Sequence, residues 1–94
     1  MDIEIIHDKK NRKFYAVVEG KEAYLLYVMT GTDRMDMLST YVPSQLRGHG
    51  IAGKIVEEGL KYAEQNSLKV MPACSFVEDY LNKHNEYGHL RIYP

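Results

Sequence analysis

The chain has one cysteine, almost no net charge and no long apolar run, and each shortage removes a class of protein. With Cys74 alone, no intramolecular disulfide can close and no paired-cysteine zinc site exists. A reducing compartment suits such a chain, so the cytoplasm is the expected location. The net charge is -1, from 12 Lys and Arg against 13 Asp and Glu. A nucleic-acid surface needs clustered cations and a high pI; here the basic residues are scattered among acids, and no nucleic-acid partner is expected. No apolar stretch approaches the length of a membrane span, and the opening MDIEIIHDKK has acids where a secretory leader would start basic, so no membrane association is expected either.

What is present reads as one domain over residues 1–94, long enough for a single core and too short for a second. At 45% hydrophobic and 27% charged residues the balance is that of a soluble globular chain, with no repeat, linker or low-complexity segment. The first forty residues predict short strands. Ile3 and Ile5 alternate with Asp2 and Glu4; a turn at Lys9-Lys10-Asn11 precedes a strand from Phe14 to Glu19; Gly20-Lys21 turns again. Ala23 to Thr30 is apolar on both faces and predicts a central strand, and Met35 to Val42 a fourth, stopped by Pro43. Connections this short predict an antiparallel meander.

From Gly50 the period changes. Ile51, Ala52, Ile55, Val56, Gly59, Leu60 and Ala63 fall at spacings of three and four, the stripe of an amphipathic helix that ends near Gln65-Asn66-Ser67. Leu68 to Pro72 then predicts a strand parallel to the fourth. Ser75 and Glu78 have capping-box spacing before a second helix carrying Tyr80, Leu81 and His84, and His89 to Tyr93 predicts a last strand. The expected class is α+β: a mixed sheet with an antiparallel N-terminal meander, a parallel β-α-β crossover and a second helix.

The glycine-rich loop at the head of the first helix carries the chemistry. Gly48-His49-Gly50-Ile51-Ala52-Gly53 matches G-x-G-x-x-G literally, but it follows a meander rather than a first strand, and the positions about twenty residues on are Pro72, Ala73 and Cys74, with no acid for a ribose. Gly48 to Lys54 also resembles a P-loop, yet Ile55 stands where a magnesium-binding Ser or Thr belongs. What remains is a bare backbone at a helix start, where free N–H groups and the helix dipole make an anion site and Arg47 adds a positive charge. A GxG pair by itself is also what a plain tight turn would use.

Gln45-Leu46-Arg47-Gly48-His49-Gly50 matches the pattern Q/R-x-x-G-x-G/A, and the stretch from Pro43 to Tyr87 resembles, in one uninterrupted register over about half the chain, the minimal members of the GNAT superfamily of acyl-CoA N-acyltransferases. The Val-Pro before the loop, the Pro-x-Cys after it and the closing Tyr87 are part of that likeness. The resemblance implies an acetyl-CoA pyrophosphate held at Gln45, Leu46, Arg47, Gly48, His49, Gly50, Ile51 and Ala52. It also implies two splayed strands with the pantetheine arm between them, bonded to the backbone of Val42. Pro43 helps by lacking the N–H that would continue the ladder.

The same resemblance places Cys74 beside the thioester, and its position just before a helix N-terminus favours thiolate. Two roles stand open for it, a nucleophile that carries the acyl group or a small hydrophobe lining the pocket. For direct transfer the candidate acid is Tyr80. Ser39-Thr40-Tyr41 occupies the strand where relatives place a base, often a His-Thr pair, so no base is identified. His49 is expected to face solvent near phosphate and His84 to end a helix; no spacing among the 4 histidines suggests a metal. Larger relatives wall the acceptor pocket with two helices where this chain has only Lys9-Lys10-Asn11-Arg12, which implies a shallow acceptor side suited to an exposed amine on a protein or peptide, or to a partner chain that completes the pocket.

Two functions follow from the resemblance: an acetyl-CoA-dependent N-acetyltransferase with an unidentified amine acceptor, or a CoA-binding module without catalysis. A small α+β domain with no ligand is the plainest alternative. The 8 tyrosines suit either strands or a dimer face, and a monomer or weak homodimer is expected.

Overall fold

The computed structural model describes residues 2–93. Five strands form one sheet in sequential order: β1 (Ile6–Asp8), β2 (Lys13–Val18), β3 (Lys21–Thr30), β4 (Arg34–Tyr41) and β5 (Lys69–Pro72). The first four pair antiparallel, and β4 pairs parallel with β5 across the helix α1 (Ile51–Gln65). A second helix, α2 (Ser75–Lys83), and a 3-10 segment (Asn85–Leu90) complete the layer. The expected α+β meander and crossover are therefore what the chain forms.

Alternation decides which face is buried. Phe14 and Ala16 of β2, Ala23, Leu25 and Tyr27 of β3, and Met35 and Met37 of β4 point into the core, while no residue of these strands facing the other way is buried. Ile55, Val56, Leu60 and Ala63 of α1 meet them, joined by Val70, by Val77 and Leu81 of α2, and by Tyr87 and Leu90. Gly59 sets how closely α1 approaches the sheet: a Cβ there would stand 3.1 Å from both Leu25 Cδ2 and Met37 Cε. The end of α1 is closed by Leu68 N–H donating to the Ala63 carbonyl at 2.8 Å, with Ser67 at φ 56°.

Four expectations are corrected. Ile3 and Ile5 do pack on the core as alternation implied, but β1 begins only at Ile6, so the first isoleucines are half-buried chain outside the sheet. β3 is the central strand, yet only one of its apolar faces is covered; Tyr24, Leu26 and Val28 on the other are half-buried, because both helices contribute to the single core on the opposite side. Ser75 is not a cap: Cys74 is the N-cap residue, without a side-chain cap bond, and Glu78 bonds Arg91 at 2.8 Å instead. The last strand from His89 to Tyr93 is replaced by the 3-10 turns over Asn85–Leu90 and one parallel bridge, Val70 to Arg91. Arg91 also bonds Asn82 at 2.8 Å, which ties this segment to α2 rather than extending the sheet.

Candidate functional site: the cleft where two parallel strands part

The site begins with a fault in β4. Leu26 pairs with Ser39 but Tyr27 pairs with Met37, so Leu38 is an extra residue, a β-bulge. The bulge shifts the inward parity of the strand from Met35 and Met37 to Thr40, which pairs with the buried Leu25. The β4–β5 ladder stops at the same level, with Met37 opposite Pro72 as its last pair; Ala73 N–H still donates to the Met37 carbonyl at 3.0 Å, and no ladder pairs lie beyond. Pro72, like Val70, turns its backbone groups away from β4, toward the edge where Ile92 N–H donates to the Val70 carbonyl at 2.8 Å.

Beyond the end of this ladder, against the last residues of β4, lies a cleft of about 380 Å³. Thr40, Tyr41 and Val42 form one side, Leu46 to Gly48 and the first turn of α1 another, and Phe76 from α2 a third. Gly48 and Gly50 hold φ of 85° and 74°, the left-handed region, and a Cβ on either would meet nothing within 4 Å. Glycine is needed there for conformation, and the space beside it is open. Gly50 is the N-cap of α1, with no side-chain cap bond and no acid in the first turn. The positive end of a fifteen-residue helix is therefore left uncompensated by the chain itself.

Among the residues expected at an anion site, Val42, Leu46, Arg47, Gly48, Gly50, Ile51 and Ala52 line the cleft; Gln45 and His49 do not, both lying exposed beside it. The Val42 carbonyl already accepts Arg47 Nε at 3.0 Å. That bond latches the loop to the end of β4 and leaves the terminal guanidinium nitrogens for an anion. Thr40, Tyr41, Gly53 and Phe76 line the cleft without having been expected at the binding site. Gly53 belongs to the literal glycine pattern, and Phe76 is a large apolar residue off the Val77–Leu81 stripe, a signal that was legible.

Cys74 does not line the cleft but lies behind it, half-buried, with its Sγ 3.5 Å from Thr40 Oγ1. Burial pushes the thiol up, but hydrogen bonds from the Thr40 hydroxyl and from the N–H groups of Val77, Phe76 and Thr40 outweigh it, and the thiol ends below its ordinary value. Tyr80 stands behind Gly53, its Cε2 3.6 Å from where a Cβ on that glycine would be, and its ring stacks on His84 at 3.9 Å. Burial, then the charge of Glu57, pushes its phenol up to about 12. The structure thus groups a thiol biased toward thiolate and a phenol that keeps its proton near one end of the sheet.

No Asp, Glu or His is among the residues lining the cleft. Among the described residues no three His, Cys, Asp or Glu gather to hold a metal, and no helix is long and apolar enough to cross a membrane. The Lys9-to-Arg12 turn sits at the other end of the sheet and contributes nothing to this cleft.

A sheet that parts beyond a bulge, with a glycine loop and an open helix start at the gap, is the frame of an acyl-transferring fold, and the chain belongs to the GCN5-related N-acetyltransferase family, whose model matches residues 13–90. It is similar to Protein NATD1 of Gallus gallus, at 31% identity over 86% of this chain and 76% of that protein, and of Xenopus tropicalis, at 30% over the same shares. Its fold is similar to the NMR solution structure of a GCN5-like protein from Staphylococcus aureus, with a TM-score of 0.77 and 25% identity over 97% of this chain and 89% of that one. Family membership ties the chain to acyl transfer in general.

Proposed function

We propose that this chain binds acetyl-CoA in the cleft and transfers the acetyl group to an exposed amine. The single observation that carries the reading is the uncapped start of α1, with Gly48 and Gly50 at positive φ beside open space. A diphosphate there meets backbone N–H groups, the helix dipole and the Arg47 guanidinium. The pantetheine arm then runs past Val42 toward the end of the β4–β5 ladder, where its amides can continue the hydrogen bonding that stops at Met37 and Ala73.

Two routes deliver the acetyl group. In direct transfer, the neutral amine attacks the thioester carbonyl, the carbon–sulfur bond to CoA breaks, the amine sheds its proton to solvent, and Tyr80 supplies a proton to the departing thiolate. Through Cys74, its thiolate attacks first, CoA leaves as thiolate, and the amine then displaces Cys74 from the acyl group and loses a proton. The geometry at sulfur favours the second route: Thr40 and two N–H groups at the start of α2 stabilise the thiolate that must attack and later leave. With no wall from residues 9–12, the acceptor is an amine that protrudes, as on a protein or peptide. The lone free thiol suits a reducing, cytoplasmic setting.

The lack of an Asp, Glu or His in the cleft lining favours a second reading, a CoA- or acetyl-CoA-binding module that senses or recruits without turnover. Intact-protein mass spectrometry after incubation with acetyl-CoA separates the two. A gain of one acetyl group, absent in Cys74→Ser, or consumption of acetyl-CoA with an amine present supports the transferase. Calorimetric binding with neither supports the module. Absence of any CoA binding overturns both.

A further inference from the structure

We propose that a second cleft, at the end of the sheet away from the glycine loop, binds a small organic anion: a carboxylate or phosphate carried on a flat apolar body. This cleft, of about 370 Å³, is bordered by Lys9 and Arg12 of the β1–β2 turn, Tyr27 and Met29 of β3, Thr32 of the β3–β4 turn, Tyr62 of α1, and Asn66 and Leu68 just after it. It lies where β4 begins, whereas the glycine loop follows where β4 ends. Eight residues of strand put the two roughly 25 Å apart.

Two cations there have no carboxylate partner. Among the described residues no carboxylate lies within ion-pair distance of Lys9 or Arg12. The nearest acid in the chain, Asp8, is occupied: Asn11 donates to its Oδ1 through the backbone at 3.1 Å and to its Oδ2 through the side chain at 2.8 Å. Asp33, in the β3–β4 turn, does not border the cleft. Arg12 also sits at φ 54°, a conformation that costs a residue with a Cβ about 1 kcal/mol. Its carbonyl accepts Tyr27 N–H at 3.0 Å, so the backbone of the turn is held against β3.

Tyr27 and Tyr62 form the aromatic side of the cleft, and they pack on rings that do not themselves border it. Tyr62 meets the His7 ring edge-on, centroids 4.4 Å apart, and Phe14 at 5.9 Å, while His7 stacks flat on Phe14 at 4.0 Å. The Tyr27 hydroxyl is hydrogen-bonded to His7. Lys9 Nζ lies 5.6 Å from the centre of the Tyr62 ring. A planar anion fits this arrangement: its oxygens face the guanidinium fork and the ammonium, and its body lies against Tyr62, Met29 and Leu68. A bare inorganic ion would use only half of it.

The test is an amide chemical-shift titration of the full chain with benzoate and with phenyl phosphate, using inorganic phosphate as the probe without a body. Saturating shifts are expected in residues 9–13, 27 and 62, with phenyl phosphate tighter than inorganic phosphate. Lys9→Gln with Arg12→Gln should weaken phenyl phosphate by about tenfold or more. Lys9→Gln alone, at an exposed and unstrained position, gives the same direction should the double variant lose its native spectrum. Gly50→Trp should leave these shifts intact, so the result is independent of acetyl-CoA binding. Shifts that fail to saturate by about 10 mM, an affinity unchanged in both variants, or equal affinity for inorganic phosphate would each overturn the proposal.

Discussion

Thr40 Oγ1 stands 3.5 Å from Cys74 Sγ, two residues 34 positions apart joined at the point where β4 and β5 part. The contact exists only because the bulge at Leu38 turns Thr40 inward. It links strand, helix cap and thiol chemistry in one bond, and it is the first thing to break by mutation.

Thr40→Val keeps the shape and removes the hydroxyl. The Cys74 thiol should then rise toward or above its ordinary value, since burial still pushes it up and one of the opposing bonds is lost. In the native chain, alkylation by iodoacetamide should persist below the pH at which an ordinary thiol fades and fall off as pH drops through the lowered value. In the variant the whole profile should move to higher pH. An unmoved profile removes Thr40 from the account.

Gly50→Ala should cost about 1 kcal/mol in urea unfolding, since φ 74° is strained for any side chain although the space is open. Gly50→Trp should in addition abolish CoA binding in calorimetry. Binding that survives the tryptophan would locate the diphosphate elsewhere.

Tyr80→Phe tests the acid. A phenol pushed up to about 12 stays protonated through the working range, so its loss should not reshape the pH profile below about pH 10. If Tyr80 is the acid, the expected effect is a fall in kcat of roughly 10- to 100-fold with little change in KM, because an acid acting on the leaving thiolate leaves binding unchanged. A rise in KM alone would make Tyr80 a packing residue.

Gly59→Val should destabilise the chain by about 1–3 kcal/mol, measured by urea unfolding, because branches on that Cβ would press into Leu25 and Met37. The sheet–helix distance has no slack to take them up. Unchanged stability would mean that α1 can ride higher on the sheet.

His7 predicts an acid-side weakness. Burial, then the charge of Lys9, lowers its pKa against the opposing pull of Asp8, so the folded chain prefers the neutral ring. The contribution is complete above the ordinary value of about 6.5 and is lost as pH falls from there through the lowered one. Thermal stability should decline across that window, and His7→Phe should flatten the decline. A decline that persists unchanged would assign it to the carboxylates.

Most of the scaffold was legible because it rests on local rules. Period two in Phe14–Val18, period three-to-four in Ile51–Ala63 and turn residues at Gly20 and Gly31 report backbone preferences that hold wherever the chain lies. The errors fall where a distant partner overrides a local one. Glu78 has capping-box spacing, but Arg91, from a segment itself expected to be a strand, takes its carboxylate. The glycine loop was readable for a different reason: its positive φ is a property of the residues themselves.

The sequence by itself determined the antiparallel meander, the crossover helix, their order, the glycine loop and the apolar stripe of α1, because these follow from side-chain size, branching and period. Only the tertiary structure decided that Thr40 meets Cys74, that Arg47 latches onto Val42 and that residues 9–12 build a separate cleft at the far end. The first depends on one extra residue in β4 and on the crossover that returns the chain to β5, the second on how the loop folds back on the end of β4, and the third on where the end of α1 packs beside the β1–β2 turn; register of the first kind is settled by packing across the sheet rather than along the chain.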